Sequence, residues 1–318
     1  MVLGGPGRRY VVLMNQSSRD DTLQDVRPSP GSGRGAVSRQ SSWDKRRKRS
    51  LPGSTVRREG RAISAADDGS AMVAEFDSVA SWTRDAVLAL GRDHAIPAGC
   101  RGTASPAALA WLGEACELAE GSRLVDSGAG VGGPAGYAAE RFRVRPVLVE
   151  PMVGACRAAR DLFGFPVLAG SGERLPLAAG SADAAWCLGV LCTTDAKAAM
   201  LDELRRVLAP GRPLGLFVLV ADRPRPPGAP EGNAFPAAAD LPGLLDRAGF
   251  DLVQQVDSAD FADAPRSWQE RIDRVEDAVA AAHGEDPGFA RARDQEARMG
   301  RLLADGTVTG RLLHAVAR

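Results

Sequence analysis

The sequence predicts an α/β fold with a mostly parallel, doubly wound sheet, and three observations carry that expectation. From about residue 123 onward, short apolar and β-branched runs alternate with stretches of helical period, as buried parallel strands joined by crossover helices require. A glycine cluster, "LVDSGAGVGGPAGY" (Leu124–Tyr137), closes the first of those runs, at the first strand-to-helix turn where doubly wound sheets take their ligands. The chain has 318 residues, 44% of them hydrophobic, which is enough for a sizeable core.

Residues 1–71 do not share that pattern. They carry 14 Arg/Lys against 7 Asp/Glu, include "PSPGSGRG" and "DKRRKRS", and show no sustained apolar period. Such a composition cannot bury enough surface to offset ordering entropy, so a disordered Arg/Ser/Gly-rich tail is expected. The basic run Lys45–Arg49 reads as a solvated tail in preference to a nucleic-acid arm. The body, 72–318, has 26 basic against 33 acidic residues, and no nucleic acid is expected on it.

Within the body, Phe76, Val79, Trp82, Val87, Leu88 and Leu90 suit a helix, followed by the loop "GRDHAIPAGCRG" and a second helix, Pro106–Leu118. "RLVDSG" is a strand, Pro134–Arg141 a helix, "RPVLVE" a strand, and Met152–Phe163 a helix closed by Gly164. "FPVLAG" and "ADAAWCLG" are strands. Met200, Leu201, Leu204, Val207 and Leu208 share one face of a helix expected over Asp195–Leu208, which Pro210–Gly211 stops. "PLGLFVLVAD" is the most apolar strand and "GRLLHAVAR" the last. Before that last strand lie two helices, about Arg266–His283 and Asp286–Leu303. The first bears the stripe Trp268, Ile272, Val275, Val279.

Several classes fall away. No apolar run approaches the ~18 residues of a membrane helix, so no span is expected and the chain reads as cytoplasmic. Five cysteines form no CxxC pair and stand beside no histidine at ligand spacing, so they read as reduced and structural, with no metal site.

The glycine turn carries the chemistry. Without Cβ atoms at Gly128, Gly130 and Gly132, a ligand can lie on the main chain and meet the N–H groups of the next helix. A structural tight turn or a dinucleotide site would use much the same residues. Asp126, at the strand tip, would repel a pyrophosphate but suit a cation. Glu150 ends the second strand, where an acid can accept from both hydroxyls of a ribose. The loop "GSGERLPLAAGSAD" (Gly170–Asp183) follows the third strand. Together these describe a pocket for a nucleoside joined to something positively charged.

These residues resemble a class I, Rossmann-like, seven-strand S-adenosylmethionine-dependent methyltransferase of the small-molecule, type 11-like group. Its first motif, acid-x-Gly-x-Gly-x-Gly, stands as Asp126-Ser127-Gly128-Ala129-Gly130-Val131-Gly132, and the acidic second-strand tip as Glu150, with Pro151 and Met152 where the family packs adenine. A family loop matches Ser171-Gly172-Glu173-Arg174-Leu175-Pro176, and "ELRRVLAPGRPLGLFV" matches the passage into the fifth strand. The likeness covers about residues 105–260, leaving N-terminal capping helices and a helical insert of about 266–303. It implies S-adenosyl-L-methionine as cofactor, held by Asp126, Gly128, Ala129, Gly130, Gly132, Glu150, Pro151, Ser171, Gly172, Glu173 and Leu188. It also implies methyl transfer to an O or N atom of a small-molecule, glycosyl or lipid-like acceptor.

The sequence departs from the family where adenine and acceptor are read. Ser171 stands where an Asp is usual, and Cys192 and Thr193 where many relatives carry a Glu-His pair. His94, in the loop that the family places over the pocket, is the candidate general base. Arg101 could pair with the cofactor carboxylate, and Cys192 and Trp268 are candidate acceptor contacts, with the Pro-rich loop "DRPRPPGAPEGNAFP" (Asp222–Pro236) as the opposite wall. A nicotinamide-dependent oxidoreductase, or a non-catalytic binding module of the same fold with a basic tail, remains as an alternative.

Overall fold

The computed structural model describes residues 68–318, so the tail expected over 1–71 lies outside the described residues, but for its last four. The chain begins with helix α1 (Asp68–Leu90) and continues through α2 (Ala95–Gly99), α3 (Pro106–Ala115), β1 (Arg123–Ser127), α4 (Gly133–Phe142) and β2 (Arg145–Glu150). Then come α5 (Val153–Phe163), β3 (Val167–Ala169), β4 (Ala184–Leu188), α6 (Lys197–Val207), β5 (Pro213–Ala221), α7 (Leu241–Arg247) and β6 (Phe250–Asp257). Helices α8 (Arg266–His283) and α9 (Pro287–Ala304) precede the final strand, β7 (Val308–Ala317).

The seven strands form one sheet in the order β3-β2-β1-β4-β5-β7-β6. All neighbours from β3 to β5 are parallel, whereas β7 runs antiparallel to both β5 and β6. This is the doubly wound α/β architecture that the alternation of runs predicts. Successive residues of a strand point to opposite faces, so Val125 and Cys187 pack under Met200, Leu201 and Leu204 of α6, while Leu124 and Trp186 pack with Leu109 and Leu112 of α3. Both faces are covered, and β4 is buried along its whole length.

Local chemistry explains most boundaries. Ser105 caps α3, its hydroxyl accepting from Ala108 N at 3.0 Å with Pro106 in the first turn, and Asp286 caps α9 in the same way through Gly288 N at 2.7 Å. Gly164 closes α5 in the left-handed region at φ 72°. Three details differ from expectation. Helix α6 starts at Lys197 because Thr194 Oγ1 accepts from Ala196 N at 3.0 Å and holds the chain in a turn. Helix α3 ends at Ala115, and Glu117 beyond it turns back with φ 48°. The segment expected as a loop, "GRDHAIPAGCRG", folds as a 3-10 turn (Arg92–His94) running into α2. Its apolar residues explain this: Ala95 and Ala98 are buried against Val275 and Val279 of α8.

Helices α8 and α9 are thus no separate lobe. Helix α8 lies on α1 and α2, and α9 on α1 and β7, with Trp82 of α1 stacked on His283 at 4.7 Å.

Candidate functional site

The tips of β1 and β2 stand side by side, with Asp126 facing Leu148 and Ser127 facing Val149 in register. Asp126 is 2% exposed, Ser127 0% and Glu150 2%. Asp126 Oδ2 and Ser127 Oγ are both buried without a hydrogen-bond partner. Leaving a buried acceptor unpaired costs on the order of 1–3 kcal/mol, so the β1 tip is built to receive donors. Burial, and then the nearby charge of Glu150, push the Asp126 carboxyl from 3.8 up to about 7.

Glu150 is engaged on both oxygens: Oε2 accepts from Gly130 N at 2.8 Å and Oε1 from Met152 N at 3.0 Å. Burial raises its pKa, and the two backbone donors oppose that shift. The carboxylate therefore ties the glycine turn to the start of α5, and each oxygen keeps a second lone pair for another donor.

The glycines divide by purpose. A Cβ on Gly130, φ 54°, would meet nothing within 4 Å, so here the main chain is open. Gly132 is different from expectation. Its missing side chain faces Leu148, Phe163 and Ala159 at 3.0–3.4 Å, so it serves packing of the turn onto the core and not ligand approach. Gly128 lies under Val190, whose methyl groups fill the space a Cβ would take. Ala129 points inward among Leu148, Cys156 and Ala159, leaving only its backbone toward the turn. Gly133 lies against α2, since a Cβ on Gly99 would come within 2.8 Å of Gly133 Cα. Nothing in the sequence distinguishes these roles.

Around the turn, Gly172 sits over Met200 and Ser127, while Ser171, Glu173 and Pro151 are exposed and Leu188 is buried at the tip of β4. The loop is held from below. Leu175 N donates to Glu203 Oε2 at 2.7 Å, and Arg206 donates to Leu175 O at 2.9 Å and Leu177 O at 2.8 Å. Thr194 Oγ1 donates to Glu173 Oε1 at 2.9 Å, joining this loop to the one after β4. Asp77 of α1 accepts from Gly154 N at the start of α5, which fastens α1 beside Glu150.

The four residues expected at acceptor and cofactor carboxylate are each packed or paired within the fold. His94 is buried where α1, α2 and α8 meet, with Nδ1 at 3.1 Å from Gly91 O and its Nε2 enclosed without a partner. Arg101 turns away to the helical insert, donating to Glu276 Oε1 at 3.1 Å and standing 3.6 Å from Glu296. Cys192 is buried with Ala221, Phe235 and Leu302, and its thiol, raised to about 11 chiefly by burial, donates to Gly189 O at 3.3 Å. Trp268 packs edge-on to Tyr137 at 6.3 Å, its indole N–H buried and unpartnered. The Pro-rich loop folds back on the loop after β4, through Ala234 N to Cys192 O at 2.7 Å and an Arg225–Asp195 ion pair at 2.6 Å.

Residues 125–216, which contain the turn, Glu150 and β4, match the family model of a methyltransferase domain. That stretch of the chain carries a methyltransferase domain. The solved structures it resembles share that fold. The 4+2 cyclase SpnF is 22% identical, with a TM-score of 0.52 over 66% of this chain and 79% of that one. An S-adenosylmethionine-dependent methyltransferase of Geobacter sulfurreducens is 17% identical, with a TM-score of 0.51 over 68% and 92%. The cyclopropane synthase MmaA2 of Mycobacterium tuberculosis is 16% identical, with a TM-score of 0.51 over 65% and 83%. No curated protein sequence matches.

The methyltransferase domain fits its cofactor on its own geometry. S-adenosylmethionine brings an ammonium and ribose hydroxyls, and the β1 tip offers an unpartnered buried carboxylate with Glu150 beside it and an uncovered stretch of main chain at Gly130. Among the described residues no cluster of His, Cys, Asp or Glu could hold a metal ion, and no helix is long and apolar enough to cross a membrane.

Proposed function

We propose that this methyltransferase domain, residues 72–318, moves the methyl group of S-adenosylmethionine to an O or N atom of a small-molecule acceptor. The observation that carries the reading is Asp126: a buried carboxylate with a free oxygen at a glycine turn, in a place that attracts a cation and repels a pyrophosphate. That repulsion weighs against a nicotinamide cofactor.

When bound, the cofactor supplies an electrophilic methyl on a sulfonium. The chain contributes position and dryness. In this reading Asp126 accepts from the ammonium, Glu150 from the ribose hydroxyls, and Gly130 leaves the main chain bare for the ligand. Ser171, Gly172 and Glu173 lie along adenine, with Pro151 and Leu188 flanking it. Helix α1 is fastened to the start of α5 beside Glu150, α2 lies on the turn at Gly133, and Asp126 and Glu150 are almost wholly buried, as a cofactor held away from bulk solvent requires. That geometry supports a small acceptor over a nucleic acid. The five buried, unpaired cysteines suit a reducing cytoplasm.

Calorimetric titration with S-adenosylmethionine, S-adenosylhomocysteine and NAD tests the cofactor, and a labelled methyl donor offered with fractionated metabolites finds the acceptor and the atom that takes the label. Binding of NAD without S-adenosylmethionine overturns the reading, as does labelling of bulk RNA or folded protein in preference to every metabolite fraction.

A further inference from the structure

In S-adenosylmethionine the sulfonium joins the amino-acid arm to the ribose. If Asp126 takes the ammonium and Glu150, bonded to Gly130, takes the ribose, the sulfonium crosses the turn between them, over Gly128. That spot is covered. A Cβ on Gly128 would stand 3.0 Å from Val190 Cγ1 and closer still to Cγ2. Both methyl groups of Val190 thus rest on the residue that the reacting centre must cross.

Val190 is also held in place. The preceding Gly189, φ 77°, donates its N–H to Phe217 O at 2.8 Å, and Val190 O accepts from both Thr193 N at 2.9 Å and Thr193 Oγ1 at 2.8 Å. Leu191 and Cys192, which follow, are 1% exposed, and the side chain itself packs on the cluster containing Cys187, Leu191 and Met200. A β-branched residue is stiff at χ1, so this wall yields little. The polar side chains beside it are spoken for: Cys192 donates to Gly189 O and Thr193 to Val190 O.

We propose that Val190 is a specificity residue, an apolar wall at the sulfonium that admits a methyl group and rejects a larger alkyl group. The inference rests on the cofactor reading above, and its test can fail separately. The full chain is titrated calorimetrically with S-adenosylmethionine, S-adenosylhomocysteine and the S-ethyl analogue S-adenosylethionine. One extra methylene against a fitted apolar wall is worth roughly 10- to 200-fold, so the wild-type chain should bind the ethyl sulfonium weaker than the methyl by a factor in that range. Val190→Ala should bring the two within about threefold, because the truncation makes room beside the alkyl group. Val190→Ile, which keeps the branch and adds a methylene, should weaken S-adenosylmethionine more than S-adenosylhomocysteine, and it serves if the alanine variant does not fold. An equal fit of methyl and ethyl in the wild type, or an unchanged ratio in Val190→Ala with no methyl-selective loss in Val190→Ile, overturns the wall while leaving the cofactor in place. Failure of the wild type to bind either S-adenosylmethionine or S-adenosylhomocysteine overturns the cofactor reading, and the wall with it.

Discussion

Arg101 donates to Glu276 across 3.1 Å, joining the loop after α2 to the middle of α8, 175 residues further along the chain. Glu296 of α9 stands 3.6 Å from the same guanidinium, and Arg293 lies 3.0 Å from Glu296 and 3.9 Å from Glu276. Two acids and two arginines therefore pin α8 and α9 to the segment that packs on the glycine turn.

Because the pair is partly buried, removing one partner should matter more than for a surface ion pair. Arg101→Ala and Glu276→Gln should each lower the melting temperature, and the double variant should lose less than their sum, with a coupling of about 0.5–3 kcal/mol, nearer the low end since Arg101 keeps some solvent. Additive losses in a thermal or denaturant double-mutant cycle would show that the two do not act together.

Asp126 makes cofactor binding depend on pH. Its carboxyl is raised from 3.8 to about 7, first by burial and then by Glu150, so the folded, ligand-free chain holds a proton that the unfolded chain gives up. Its contribution to stability is full below pH 3.8 and is lost as pH rises through about 7. A cationic ligand needs the ionised form, so affinity for S-adenosylmethionine should fall as pH drops below about 7, and binding at pH 6 should release a proton. Calorimetry at pH 6 in two buffers of different ionisation enthalpy measures that proton, and a buffer-independent heat would mean that Asp126 meets no cation.

Asp126→Asn should separate stability from binding. It removes the cost of a buried charge and its repulsion from Glu150, so the ligand-free variant should melt higher than wild type at pH 8. A charge-assisted hydrogen bond is worth about 1.5–3 kcal/mol, so its affinity for S-adenosylmethionine should be roughly ten- to a hundredfold lower. Glu150→Ala should lose both properties, because that carboxylate also satisfies Gly130 N and Met152 N.

Two glycines of the same turn should respond in opposite ways. A side chain on Gly130 enters open space at φ 54°, so Gly130→Ala should cost about 1–2 kcal/mol of backbone strain while greatly weakening the cofactor. At Gly133 a Cβ would come within 2.5 Å of Cys100 N, so Gly133→Ala should push α2 off the turn and cause the larger fall in melting temperature. Comparable melting temperatures for the two variants would contradict this division.

That pair also marks where the sequence stops being legible. Strand alternation, caps and the acidic strand tips are local signals, and Asp126, Glu150, the strands and the helices of the insert stand where those signals put them. The separate jobs of Gly128, Gly130, Gly132 and Gly133 are set by Val190, Phe163 and Gly99, none of which adjoins the turn in sequence. Arg101 is one arginine among many, and nothing near it announces a partner as distant as Glu276. His94 is legible only as a lone histidine in a polar-looking loop; its enclosure comes from Ala95, Ala98 and the face of α8, which bury that loop. Ser127 left a signal, a hydroxyl beside the motif acid at a strand tip, that only its burial made readable.

The sheet order has a bearing on how the protein is made. Among the described residues β6 has a single neighbour, β7, which lies between it and β5 and spans Val308–Ala317. A ribosome releases β1 to β5 in an order that lets each find a partner already outside, but β6 emerges some fifty residues before the strand that must wedge in beside it. Until then its backbone groups and the apolar flank of β5 wait without cover. The span between them is α8 and α9, helices built from contacts close in sequence, which form fast. They can settle on α1 and α2 before β7 arrives, so the closing step of the fold is the insertion of one strand between two that are already made.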